Sequence, residues 1–394
     1  MTTKLRLLAL PLAVFSALAV ADEATDARIA ALEQQLATVK ARQDASSWTD
    51  RFTVNGFASA AVGMANNDAD FYSYDEDANF ESDSVFGVQL NFTINDKAAA
   101  TLQLQSRGID NWDTEVEWAF LSYQFDQGTK VRAGKLRLPL YMYSDYLEVG
   151  YAYSFARPAV DVYSLLSYSS FTGADALIPL SLGNSTLTLQ PFTGHLDDEY
   201  DGADLTLKNI YGLVGLWEYD SLIIRATAAQ ADSESADLPI IDGERGKFFG
   251  AAISYDPGDY FVVAEWARRQ TSGAFADVDA SYIAAGYRFD ALTPYVMLGQ
   301  SRSTDDEERQ ALNALGLVSS QDLRRTTFSV GTRWDFMPQL ALKFDITHAG
   351  NFKDTAGGMS GNIGTVDTIV GPQSVNLGTY DDTTVVSLVL DAVF

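Results

Sequence analysis

The sequence predicts an all-β protein, a sixteen-stranded antiparallel transmembrane β-barrel preceded by a short N-terminal coiled-coil helix. Three observations predict the barrel. Apolar residues recur at every second position over segments of about ten residues, the length of a tilted membrane-crossing strand. Very short, turn-like connections alternate with long polar ones. The sequence also stops on an alternating apolar stretch, VVSLVLDAVF, with Phe394 as its last residue.

In chain order, residues 1–21 read as a secretory signal peptide. Lys4 and Arg6 precede an apolar run from Leu7, and Ala19-Val20-Ala21 supplies small residues for cleavage. The acidic balance, 27 Lys and Arg against 53 Asp and Glu, argues against nucleic acid as a partner. The absence of cysteine excludes a disulfide framework and any Cys-based metal or redox site. Residues 22–48 are expected to form a periplasmic coiled-coil segment. Ile29, Leu32, Leu36 and Val39 fall at a/d spacing among good helix formers. So short a coil does not hold together alone in water, so it reads as an adjunct to a body that already oligomerises. An amphipathic helix packed on its own domain is the alternative.

Over 51–394 the period is two. In SVFGVQLNFTIND, Phe86, Val88, Leu90, Phe92 and Ile94 alternate with Gly87, Gln89, Asn91 and Thr93. AAATLQLQSR, TTFSVGTRWDF and LALKFDIT repeat the pattern. Short turns are predicted at 95–97, 126–128, 182–184, 219–221, 256–259, 290–292 and 336–338. Long loops are predicted at 66–82, 106–114, 138–173, 196–210, 232–246, 271–279, 304–323 and 350–381. Strict alternation of the two classes gives sixteen strands with both termini on the turn side. The last strand must then close on the first, because an open edge in lipid leaves unpaired backbone groups costing several kcal/mol each. Phe394 is the closure residue, an aromatic at the membrane interface.

The whole mature chain, expected to begin at Asp22, resembles Gram-negative sixteen-stranded outer-membrane porins. In VRAGKLRLPLYMYSDYLEVGYAYSFARPAVDVYS, residues Arg132, Gly134, Lys135 and Pro139 match the basic strand and following loop of the phosphate-selective porin O/P group. The N-terminal coil is similar to that of DcaP-like trimeric porins. The resemblance implies a homotrimer whose third long loop narrows each pore. The sequence holds no ladder of arginines that would single out phosphate.

A barrel of this size leaves an aqueous channel unless something folds into it. The candidate is segment 138–173, too long for an idle loop and rich in tyrosine. Its charges are Asp145, Glu148, Arg157 and Asp161, with Arg137 just before it. Arg107, Arg225, Arg288, Arg333, Lys343 and Glu265 fall on polar faces of readable strands, and Arg132 and Lys135 lie on the segment's own approach. Arg132 and Lys135 cannot both point inward without a bulge. Arginines facing Asp145, Glu148 or Asp161 across the pore would set up a transverse field. For any single tyrosine, packing onto the barrel wall is the favoured role.

The expected function is passive diffusion of small hydrophilic solutes or ions, anionic or mixed, with no enzymatic activity and no resident cofactor. Membrane lipid and lipopolysaccharide are the expected partners, in the outer membrane of a Gram-negative bacterium. Acidic outer loops such as NNDADFYSYDEDANFESD suit Ca²⁺ or Mg²⁺, although no ligand loop of defined spacing occurs. A hydrolase is the rival class, but only His195 and His348 are available to it and no G-x-S-x-G occurs. An adhesin or receptor role for the acidic loops is compatible with a pore.

Overall fold

The computed structural model describes residues 32–38, 40, 50–166, 168–200, 203–235, 242–272, 275–305, 322–368 and 371–394. Two units divide after Thr53. In the first, 32–38 is helical, with Leu32 and Leu36 63% and 56% exposed. Ile29, Val39 and the expected signal peptide 1–21 lie outside the described residues.

The second unit is a closed sixteen-stranded antiparallel barrel. Its strands are β1 (Phe52–Ala65), β2 (Val85–Asn95), β3 (Ala98–Arg107), β4 (Thr114–Gln124), β5 (Lys130–Arg137), β6 (Ser170–Leu182), β7 (Ser185–Tyr200) and β8 (Ala203–Tyr219). Then follow β9 (Leu222–Glu234), β10 (Arg245–Tyr255), β11 (Tyr260–Thr271), β12 (Val278–Tyr287), β13 (Leu292–Ser303), β14 (Arg324–Met337) and β15 (Leu340–Gly350). A separate hairpin, β16 (Ile363–Thr368) and β17 (Gly371–Asn376), sits in the last long connection before β18 (Thr383–Val393). Closure pairs β18 with β1, Val393 opposite Phe57 and Val385 opposite Ala65. Phe394 extends this seam, exchanging backbone bonds of 2.7 and 2.9 Å with Gly56.

The seven predicted turns join strands at one end of the barrel. The predicted loop 196–210 is corrected: β7 and β8 continue through it and pair Tyr200 with Ala203. A register shift after Gly194 lets Leu196 and Leu205 stay buried, while Asp197, Asp198 and Asp204 between them are exposed.

Alternation gives the wall two faces. Val296, Leu298, Phe328, Val330, Phe344, Leu388 and Leu390 point outward and are 39–52% exposed, as a lipid-facing surface requires. At the turn end the outward residues become aromatic: Tyr123, Phe125, Tyr219, Tyr255, Tyr260, Tyr287, Phe289, Trp334, Phe336 and Phe394. Neighbouring members touch, as Tyr123 and Phe125 do at 4.9 Å between ring centres. This is an interfacial girdle.

Two local features aim residues at the lumen. The β3–β4 register passes from Gln103 opposite Trp118 to Leu104 opposite Val116, so Glu117 is an extra residue turned inward and buried. In β5, Gly134 has φ +136°, and a Cβ there would collide with the carbonyl of Ala119. Only glycine fits this position without strain.

Candidate functional site

After β5 the chain turns into the cylinder and crosses it before returning as β6. Leu138, Leu140, Tyr141, Tyr143, Tyr153, Phe155 and Val162 are buried in one cluster with inward residues of β10 to β13, among them Phe248, Phe261, Tyr282 and Tyr295. The tyrosines therefore pack the segment onto the wall. Tyr141 meets Phe248 edge-on at 5.2 Å, and Phe155 meets Tyr295 at 5.4 Å. Burial raises the Tyr146 phenol to about 12 and those of Tyr141 and Tyr143 further, so these rings stay uncharged at neutral pH.

Cations of the wall then hold the segment by its backbone. Lys343 donates to the Gly150 carbonyl at 2.6 Å and pairs with Asp391 at 2.8 Å, wholly buried. Gly150 permits this approach, because a Cβ there would strike the Asp391 carboxylate. Arg333 donates to the carbonyls of Tyr151 and Tyr153 at 2.7 and 3.1 Å. Arg225 donates to the Pro139 carbonyl at 2.5 Å. Glu265 accepts from the Met142 amide at 2.8 Å and the Tyr163 hydroxyl at 2.9 Å.

Charges of the segment are tied in the same way. Arg157 reaches Asp83, Asp345 and the Ser387 hydroxyl, the last at 2.6 Å. Asp161 on the short helix Val160–Tyr163 accepts from Arg325 at 3.0 Å and from the Thr327 hydroxyl. The expected transverse field is thus largely cancelled locally: Asp161 pairs with Arg325, and Glu148 with Arg107 at 3.3 Å. Asp145 stays exposed with no ion pair among the described residues, within electrostatic reach of Arg132 and Arg225.

Three expected pore residues are corrected. Lys135 shares its face with the exposed Val131 and Ala133, opposite Arg132, because β5 pairs without a register shift. A bulge does occur next door, in β4, and there Glu117 meets Arg137 at 2.8 Å. Arg288 lies in the turn between β12 and β13, paired with Asp256 of the neighbouring turn at 2.7 Å. Lys343 is sealed under the crossing segment, so it anchors that segment and does not line water.

Arg325, Asp175 and Glu117 are site residues that sequence reading missed. Arg325 was within reach, since it has the parity of Thr327, Ser329 and Arg333. Asp175 shares the parity of Phe171 and Gly173, and it takes the Arg132 guanidinium through both oxygens. Glu117 breaks parity at its bulge and gave no signal. His195 and His348 both occupy exposed positions among outward residues of β7 and β15. Among the described residues no group of three His, Asp or Glu could hold a metal ion.

No family model and no curated relative matches the sequence. Solved structures do. The barrel is similar to OmpT of Vibrio cholerae, at 14% identity over 87% of this chain and 97% of that one, with a TM-score of 0.55. It is similar to Salmonella typhi OmpF in complex with daunomycin, at 14% identity over 87% and 97%, TM-score 0.58. It is likewise similar to the anion-selective porin from Comamonas acidovorans, at 14% identity over 87% and 99%, TM-score 0.57. By its fold, this chain is a closed sixteen-stranded β-barrel of the kind seen in Gram-negative outer-membrane porins.

Proposed function

We propose that the protein is a porin, a water-filled channel through which small hydrophilic solutes and ions diffuse passively across the outer membrane. The observation that carries this reading is the asymmetry of the inner wall. Segment 138–169 covers the wall of β10 to β15 and β18, while Gln89, Asn91, Thr101, Ser122 and Arg132 on β2 to β5 remain partly exposed. A polar, uncovered strip beside a fixed loop is what a conducting path needs.

Selectivity is weak in this reading, mixed with a lean to anions. Most inward cations are balanced by a carboxylate, as in Arg132 with Asp175, while Arg225 has none among the described residues. One similar barrel is described as anion-selective, which agrees with that lean without deciding it. The functional unit is a homotrimer, in keeping with the trimeric form recorded for the similar V. cholerae protein. The leader 1–21 directs export, and the coil at 22–48 adds contacts between protomers.

The test is stepwise conductance in planar bilayers. Folded protein should give uniform steps, with a small reversal potential across a KCl gradient. Folded protein that inserts and gives no steps overturns the proposal.

A further inference from the structure

Two aromatic rings stand on the inward face of the uncovered wall. Register sets Trp118 and Phe120 opposite Gln103 and Thr101, while Leu121 beside them points outward and is 59% exposed. Phe120 packs against the buried cluster of the crossing segment, and Arg132 lies over its ring at 5.5 Å. Trp118, 5.8 Å from Phe120 between ring centres, is half-buried and is not part of that cluster. Its indole N–H is buried with no acceptor among the described residues, whereas a tryptophan that serves packing alone usually finds one.

Beside the ring runs a row of amides. Gln103 donates to Gln89 at 3.4 Å, and Gln89 and the Thr101 hydroxyl donate to Asn91 at 3.3 and 3.0 Å. The Gln103 side-chain carbonyl is left as an acceptor, and the Asn91 amide as a donor, without a partner among the described residues. The flanking cations are neutralised. Both oxygens of Asp175 hold Arg132, and Glu148 and Glu117 lie 3.3 and 3.7 Å from Arg107. A charged solute therefore gains little here, while a flat ring with donors and acceptors on its edge meets indole and amides together.

We infer that this strip is a subsite for a neutral nucleoside, its base stacked on Trp118 and its donor–acceptor edge read by Gln103 and Asn91. Stacking on an aromatic side chain accepts any base, and side-chain amides complement the edge of adenine. A saccharide offers no π face to the indole, and an aromatic acid brings a charge that finds no free cation on the strip. Binding of this kind must be weak enough to let the solute leave. The inference deepens the channel reading and rests on it, because solute meets the strip only in an open lumen.

Adenosine added to a planar bilayer holding single channels of the full-length protein tests it. Wild type should show brief interruptions of the open current whose frequency rises with adenosine concentration. Trp118→Ala should shorten them about tenfold, the loss of one stacking contact, and Trp118→Phe should keep most of the dwell time. Gln103→Leu should shorten them by less, through one lost hydrogen bond. Interruptions of equal length in wild type and Trp118→Ala overturn the subsite, and so do currents that adenosine never interrupts. Maltotriose or benzoate interrupting the current for as long as adenosine overturns the assignment to nucleosides. Folded protein that gives no steps counts against the porin reading instead. Saturation-transfer NMR of adenosine with the detergent-folded protein then reads the same contact without conduction. No transfer in wild type, or equal transfer in Trp118→Ala, overturns the subsite there too.

Discussion

The wall under the crossing segment and the wall facing it use the same residue types for different work. Under the segment, on β13 to β15 and β18, Arg325, Lys343, Asp345 and Asp391 are 0–4% exposed and make bonds to loop backbone or buried partners. On the facing wall and loop edge, the Arg107, Arg132 and Glu148 side chains are 25%, 12% and 20% exposed, and Asp145 is open. A charge sealed from water cannot act on a passing ion except through its partner, whereas one at the water's edge can. The path of one loop thus decides which arginines anchor and which steer.

Removing an anchor should have the largest effect. Asp161→Ala leaves the buried Arg325 guanidinium without its carboxylate, which costs about 3–5 kcal/mol of local stability. Protease cleavage within 138–169 of the native protein, with noisier channel currents, is the expected outcome. Wild-type resistance and quiet currents would break the division between the two walls. Arg132→Gln comes next. A unit charge some 8 Å from the ion path is worth roughly 0.5 kcal/mol in water, so the permeability ratio should move about twofold toward cations in a reversal-potential measurement. Asp145→Asn should move it the opposite way and by less, since that carboxylate is more exposed and better screened.

Arg288→Ala should matter least, with conductance unchanged. Its bond holds the Asp256 carboxyl below the usual range. Stability from this pair is therefore present above the ordinary carboxylate pKa and disappears as pH falls through the lowered one. The small melting difference between wild type and variant should be visible at pH 7 and absent in strong acid.

The barrel was legible because alternation and turn chemistry repeat in strand after strand, each confirming the last. The seam at Phe394 and the turns at 95–97 and 256–259 could be read directly. Parity alone placed Arg225, Glu265 and Lys343 on the inner face, but it is silent about depth beneath a folded-in loop. That is why Lys343 read as a pore residue and proved to be an anchor. Loop 196–210 was misread because acidic residues mark solvent, and a strand extended beyond the membrane meets solvent on its outer face as a loop does. Glu117 was illegible, because a bulge shifts parity without a composition signal.

Cysteine accessibility tests the central claim most directly, since the chain has no cysteine of its own. Asn91→Cys sits on the uncovered wall and Ser329→Cys, 6% exposed, under the loop. With a charged methanethiosulfonate reagent, single-channel current should drop through Asn91→Cys and stay constant through Ser329→Cys. Block at Ser329→Cys with none at Asn91→Cys would put the water on the other side of the loop and contradict the account.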